Sequence, residues 1–536
     1  MKHFGCDVAV VGAGPTGLTL ANYLGGAGVC VALIERNETT VQQPRAVSID
    51  DESLRTMQAL GLIEDVLKDV ALDYGSHYFA PDGTCFAMVE PTTREYGFPR
   101  RNAFLQPRLE AALRDGLGRF SNVISLFRHE RRTLAEDQEG VTLGLRGPDG
   151  DEVSVRARYV AACDGARSAI REELGITLAG ATYDQRWLIV DLGATKERFR
   201  QTRVFCNPER PGLTLPGPHG TRRYEFMLRD AETDAIATAP DFVRNLLDAH
   251  GPDADAPVVR RQVYHFHARI AERWGTDRLF LAGDAAHLSP PFAGQGMNSG
   301  VRDAHNLAWK LAAVVKGDLG PDVLETYEQE RLPHARALIQ LAVNMGRVMM
   351  PTSKIQASLV RSGFRMARVL PTVHDYFAQM KYKPKPHYGN GFLARGSDLA
   401  LVGRMMPQPI LECGVGRQIL MDDLIGNEFA VIAYGPNAQQ TAQASLRSDF
   451  GVPRLQRLAV APMRSNPDPA DAADVPVGRD VEDRFKSLGA GDSDLLVVLR
   501  PDRYVAAASA PTSASDFESF AASFRATVKR TWTIPT

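Results

Sequence analysis

Short apolar runs and longer helical stripes divide the chain into recognisable pieces. Residues 8–11 and 30–34 are brief all-apolar runs, the pattern of strands buried on both faces of a parallel sheet. Residues 159–162 and 280–282 repeat that pattern. Val301, Ala304, Leu307, Ala308, Leu311, Ala312 and Val315 recur at helical spacing, which predicts a helix over 298–316 with Gly317 as its stop. Residues 327–350, rich in methionine and aliphatics, predict a second helix whose apolar face belongs to the core. Between these lie alternating runs at 187–192, 203–206, 222–228 and 258–267, which read as antiparallel strands joined by Gly/Pro turns such as 208–218. His265 and His267 share one face of the last run and read as packing or surface residues. Residues 381–391 have the Pro, Gly and Asn density of a linker, and 463–478, alternating Pro, Asp and Ala, of a mobile loop.

Glycine-rich turns sit where the strands end. Gly12, Gly14 and Gly17, with Pro15 and Thr16 among them, occupy the three glycine positions of a dinucleotide turn between the first strand and a helix. Glu35 closes the second strand about 20 positions later, where a carboxylate meets a ribose hydroxyl, and Arg36 follows it. One dinucleotide is predicted here. A second turn, Gly283-Asp284, follows the strand at 280–282 and runs through Pro290, Pro291, Gly294, Gln295, Gly296, Met297 and Asn298 into the predicted helix. Such a loop offers free N–H groups and the positive end of a helix dipole, which suits the negative charge of a reduced flavin at N1/O2.

Composition narrows the alternatives. At 536 residues the chain is too long for one core, so two or three domains are expected. A net charge of −2 offers no basic surface for nucleic acid and no cationic helix for a membrane. No apolar run approaches the ~20 residues of a spanning helix. Little precedes the first strand, leaving no space for a signal peptide, so a cytoplasmic protein is expected. The six cysteines contain no CxxC and the twelve histidines no HExxH, so no metal is expected.

The two glycine turns, together with Asp164-Gly165-Ala166-Arg167-Ser168 after the strand at 159–162, resemble the class A flavoprotein aromatic hydroxylases, the p-hydroxybenzoate hydroxylase group. The likeness covers residues 1 to about 350. It implies FAD as cofactor and NADH or NADPH as co-substrate, with dioxygen forming a flavin C4a-hydroperoxide that hydroxylates a phenol. Asp164 and Arg167 would link flavin and NAD(P)H handling, and Asp284 would accept from the ribityl hydroxyls. Arg45 would lie near the flavin and Gln106 near the ribityl–phosphate region. Pro290 and Pro291 form either a wall over the flavin ring or a simple loop stiffener.

The implied fold is α/β: a Rossmann-like, GR2-like FAD-binding domain over 1–180 and 270–385, with an antiparallel substrate sheet inserted at 181–269. The tail at 395–536 is similar to the C-terminal domain of the phenol hydroxylase and 3-(3-hydroxyphenyl)propionate hydroxylase branch, thioredoxin-like but without CxxC. It reads as a cover for the flavin domain and a candidate surface for homodimer contacts. The expected partners are a small aromatic substrate, O2 and NAD(P)H. A resorcinol-like or polyketide-derived substrate, and a non-hydroxylating redox sensor or scaffold, stand as alternatives. Tyr224, Glu225, Arg223 and His287 are the candidates, on position alone, for activating the phenol.

Overall fold

The computed structural model describes residues 2–351, 353–367, 369–394, 400–414, 416–464, 475–488, 494–511 and 513–532. A seven-stranded sheet built on Lys2–Val11, paired parallel except for Val141–Arg146 and Glu130–Glu136 at one edge, forms the first layer. Val31–Glu35 and Glu152–Ala162 flank that strand, and Leu279–Leu281 continues in parallel beside Glu152–Ala162. Val8, Ala9 and Val10 are fully buried, as strands covered by helices on both faces must be. The first strand is longer than its apolar run because Lys2–Cys6 continues the pairing, in register with 153–157. Helices Pro15–Gly26 and Gly296–Lys316 cover the sheet, and Gly317 ends the second with φ at +75°.

The second sheet has eight strands. Leu178–Leu192, Arg222–Met227, Gly212–Pro216 and Thr202–Phe205 lie side by side in antiparallel order. The predicted turn at 208–218 therefore contains a strand; its bounding Gly and Pro mask a Leu213–Leu215 alternation too short to read. Ser76–Phe79 and Cys85–Val89 extend the sheet from outside residues 181–269. One face carries Trp187, Ile189, Val204, Leu213 and Leu215. The other carries Leu188, Val190, Tyr224 and Phe226 and packs on the helix Pro240–His250. A three-stranded sheet places Arg101–Phe104 between Ser48–Asp50 and Val70–Ala71.

The C-terminal unit has a seven-stranded sheet. Phe429–Tyr434 runs parallel to Leu455–Ala461 and antiparallel to Leu495–Leu499, which pairs with Val505–Ser509. The stretch read as a mobile loop falls partly at 465–474, outside the described residues, and its far end is the strand Val477–Asp480. The segment read as a linker is anchored: Lys383 is buried and its Nζ lies 3.0 Å from Asp50 and 2.7 Å from Glu52. Asp50, Asp51 and Glu52 are clustered closely enough for a metal, but Lys383 and Arg302 already pair with them. No helix among the described residues is long and apolar enough to cross a membrane, and all six cysteines are free.

Candidate active site

A cavity of about 850 Å³ opens where the first sheet, the second sheet and the start of helix Gly296–Lys316 converge. At one end is the glycine turn. Gly12 has φ at +107°, and a Cβ there would meet the Cys163 carbonyl oxygen at 2.3 Å. A Cβ at Gly17 would meet the Gly12 carbonyl oxygen at 1.9 Å, so that glycine folds the turn and does not line the cavity. Gly14 differs: a Cβ there would project into open space in front of the Pro15–Gly26 N-terminus. That is the cradle a pyrophosphate needs. Glu35 accepts a hydrogen bond from the Ala13 N–H at 2.8 Å, so this acid and the turn are held as one unit.

The aspartates fit the same ligand. Asp164 Oδ1 is buried with no hydrogen-bond partner, and burial raises that carboxyl above its ordinary range. Asp284 is exposed where it lines the cavity and makes no hydrogen bond among the described residues. Burial raises its pKa, with His287 and Arg45 offsetting part of the effect. Asp164 Oδ2 accepts from the Ile170 N–H at 3.3 Å, which leaves its Oδ1 and the Asp284 carboxylate as the acceptors that a polyhydroxylated chain would complete. Gly283, with φ at +62°, lets the second turn close on Thr16 of the first. Arg171 NH1 donates to Ala166 and Ala285 carbonyls, each at 3.2 Å, tying the Asp164 turn to the Asp284 turn.

Arg45 lies on a loop held from two sides. Gln106 Oε1 accepts from the Arg45 N–H at 2.9 Å and the Ala46 N–H at 2.7 Å, while its Nε2 donates to Glu110 at 2.8 Å. From the substrate sheet, Arg223 donates to the Arg45 carbonyl at 2.8 Å and the Pro44 carbonyl at 2.6 Å. Gln106 borders the cavity, but its amide is spent on this loop. Arg36 and Arg167 are exposed at the cavity wall without ion-pair partners among the described residues. Pro291, Gly294, Gly296 and Met297 also line the cavity.

Three expected site residues lie elsewhere. Asn298 is fully buried beneath the loop: Oδ1 accepts from the Asp50 N–H and Ser53 Oγ, and Nδ2 donates to the Ser48 and Gly294 carbonyls. Every bond it can make is used, so it braces the loop instead of reaching a cofactor. His287 is 1% exposed, packed on Trp274, and 2.7 Å from Asp303, which also accepts from the Gly283 N–H and Arg331. It is a core residue. Tyr224 lies on the far face of the substrate sheet, its hydroxyl donating to Asp253 at 2.9 Å. A period of two decides this: if Glu225 faces the cavity, Tyr224 cannot.

Glu225 does face it, between Ile189 and Leu213 in register. Burial pushes its carboxyl up to about 7, with Arg223 pulling the other way from 3.8 Å and Asp191 adding to the rise. Arg223 itself is held by Asp191, Nε to Oδ1 at 2.6 Å. Sequence reading missed the rest of this wall. Arg101, Tyr74, Tyr78, Leu215 and Tyr382 carry no local motif, and Met345 and Met349 were read as core.

The FAD binding domain family matches residues 5–342 and the HcaD C-terminal domain matches 403–524. A 3-(3-hydroxyphenyl)propionate/3-hydroxycinnamic acid hydroxylase of Klebsiella pneumoniae is 42% identical across 94% of this chain and 92% of its own. The Escherichia coli protein of that name is 39% identical over the same shares. Among solved structures, the flavin-dependent monooxygenase PieE superposes with a TM-score of 0.81 at 21% identity, covering 99% of this chain and all of PieE. Aklavinone-11 hydroxylase, solved with FAD and aklavinone, gives 0.75 at 25% identity over 99% of this chain and all of its own. The chain belongs to the FAD-binding-domain family of flavoprotein aromatic hydroxylases.

Proposed function

We propose that the protein hydroxylates a phenolic ring at the expense of NAD(P)H and O2, on a substrate of the 3-(3-hydroxyphenyl)propionate type named for its relatives. The observation that carries this reading is that one cavity contains both the dinucleotide turn and Glu225. When bound, FAD supplies the electron transfer and the activation of oxygen. The chain supplies the rest. Gly12–Gly17 and Glu35 bind the pyrophosphate and ribose, and Asp164 and Asp284 take the hydroxyls of the linking chain. Leu213, Leu215 and Met349 present an apolar wall that excludes water from the reacting ring.

Glu225 accepts the phenol proton at its carboxylate oxygen, which raises the electron density of the ring. A carboxylate titrating near 7 is poised to take that proton and return it within a turnover. Arg223 has a positioning role, joining the substrate sheet to the Pro44–Arg45 backbone so that sheet and flavin side move together. Arg167, exposed and unpaired, is placed to meet the nicotinamide nucleotide, for which the chain has no second Rossmann turn. Dependence on NAD(P)H supports a cytoplasmic enzyme. The strand and helix order from Phe429 through Lys529 supports a thioredoxin-like C-terminal unit without redox cysteines. Oxidation of NADH and NADPH against a panel of phenols, with mass analysis for one added oxygen, tests the assignment. Oxidation without any oxygenated product would count against it.

A further inference from the structure

The arginines that line the cavity differ in what they face. Arg36, Arg45 and Arg167 accompany the glycine turn and the Asp284 loop. Arg131 is taken by Glu173 at 2.6 Å and Arg223 by Asp191. Arg101 stands apart, on the strand Arg101–Phe104 of the three-stranded sheet. Its guanidinium lies 4.6 Å over the Tyr74 ring, donates to Ser76 Oγ, and is 3.5 Å from Thr202 Oγ1. Among the described residues no carboxylate pairs with it, and its titratable neighbours are Tyr74, Tyr78 and Tyr382.

The surrounding phenols cannot neutralise that charge. Burial raises Tyr78 above its ordinary value and Tyr382 up to about 12, so both keep their protons near neutral pH. A guanidinium enclosed by aromatic rings and hydroxyls is costly unless an anion completes it. Its planar fork matches a carboxylate. The position also fits. Ser76 pairs with Thr202, and Tyr78 with Val204, which pairs with Leu213 and so with Glu225. Two strand spacings across the sheet and two residues along it, ~12 Å in all, separate Thr202 from Glu225. A hydroxyphenyl ring with a short acid arm, contacted at both ends, spans that distance. Tyr74, under Arg101, donates to Ser48 Oγ at 3.2 Å, and Ser48 abuts Gly294 of the flavin-side loop, so the anchor lies beside the ring site and away from the pyrophosphate end.

We propose that Arg101 binds the carboxylate of the substrate's side chain and thereby selects acidic phenols over neutral ones. The proposal rests on the hydroxylase reading above. It is tested with FAD-loaded wild type, Arg101→Gln and Arg101→Lys, using 3-(3-hydroxyphenyl)propionate and its methyl ester. The readouts are kcat and KM with product mass, and Kd from perturbation of flavin absorbance. Wild type should favour the acid at least about 10-fold in kcat/KM. Arg101→Gln should lose about 10–100-fold on the acid, chiefly in KM and Kd, and stay within a few-fold on the ester. Arg101→Lys, keeping the charge without the fork, should recover part of the loss. Equal losses on acid and ester would overturn the proposal, since they would mark Arg101 as a flavin-site or folding residue. An undiminished acid preference in Arg101→Gln would overturn it too. If that variant fails to hold FAD, wild type that does not distinguish acid from ester overturns it alone. If wild type oxygenates neither compound, the 3-(3-hydroxyphenyl)propionate assignment falls, and the Kd comparison still decides Arg101.

Discussion

At the scale of single residues, neighbours in sequence have opposite fates. Tyr224 and Glu225 are adjacent on one strand, yet one is locked to Asp253 and the other faces the cavity. Tyr224→Phe should therefore leave the substrate KM unchanged and lower stability by about 1 kcal/mol through the lost bond. Glu225→Gln should reduce kcat by about 100-fold or more, the range of general base catalysis. The pH dependence separates the two roles. A carboxyl raised to about 7 is protonated and idle below that pH and ionised above it, so kcat should climb as pH rises through about 7. Glu225→Gln should lack that limb. A retained limb in this variant would assign it to another group. Because burial disfavours the Glu225 charge, the same group costs stability as pH rises from 4.5 to about 7. Activity and stability thus move in opposite directions across that window.

At the scale of elements, the cofactor cradle depends on turns more than on the helices behind them. Gly14→Val places a branched side chain in the space before the Pro15–Gly26 N-terminus, and the purified protein should emerge without flavin colour. Asp284→Ala removes a carboxylate with no protein partner, so it should weaken FAD binding by about 1–3 kcal/mol without loosening the fold. Equilibrium FAD titration and a melting curve of the apoprotein distinguish these effects. Arg167→Ala should keep its colour and slow anaerobic reduction by NAD(P)H, read by rapid mixing, because a cationic contact to the nucleotide is lost. The parallel strands, both glycine turns and the Gly296–Lys316 helix were legible in the sequence because their signals are local: apolar runs, glycine spacing, a 3.6-residue stripe. The substrate wall was not legible. Tyr78, Val204, Leu213 and Glu225 come from separate strands that only sheet register brings to one face, and Arg101 joins them from the three-stranded sheet. Asn298 and His287 misled because they lie inside the flavin-side motif while serving its scaffold.

At the scale of the whole molecule, buried charge joins the C-terminal unit to the flavin side. Glu330, on the helix Thr326–Met349, accepts from Arg500 NH1 and NH2 at 2.7 Å each, Lys310 Nζ at 2.7 Å, Asn306 at 2.7 Å and the Phe392 N–H at 2.9 Å. One carboxylate thus meets the Gly296–Lys316 helix, the anchored segment after Lys383 and the C-terminal sheet. A second knot repeats the device, with Asp422 of the C-terminal unit accepting from Arg55 at 2.7 Å and from Arg503 at 3.0 Å. Burial alone would raise Glu330, but Arg500 and Lys310 outweigh it and hold the carboxyl at about 2. Burial and Arg500 bring Lys310 down to about 8 against the pull of Glu330, which leaves it charged at neutral pH. Glu330→Gln keeps the shape and removes the charge, leaving Lys310 and Arg500 buried without their counter-ion. That should cost about 3–5 kcal/mol in urea unfolding at pH 7. The sign of the pH effect follows from the lowered pKa. The contribution of Glu330 is complete above its ordinary 4.5 and fades as pH falls toward about 2. Wild type should therefore lose stability on acidification through that interval, and the gap to Glu330→Gln should narrow with it. A gap that stays constant between pH 7 and pH 3 would place the stabilisation in packing around the side chain instead of in its charge.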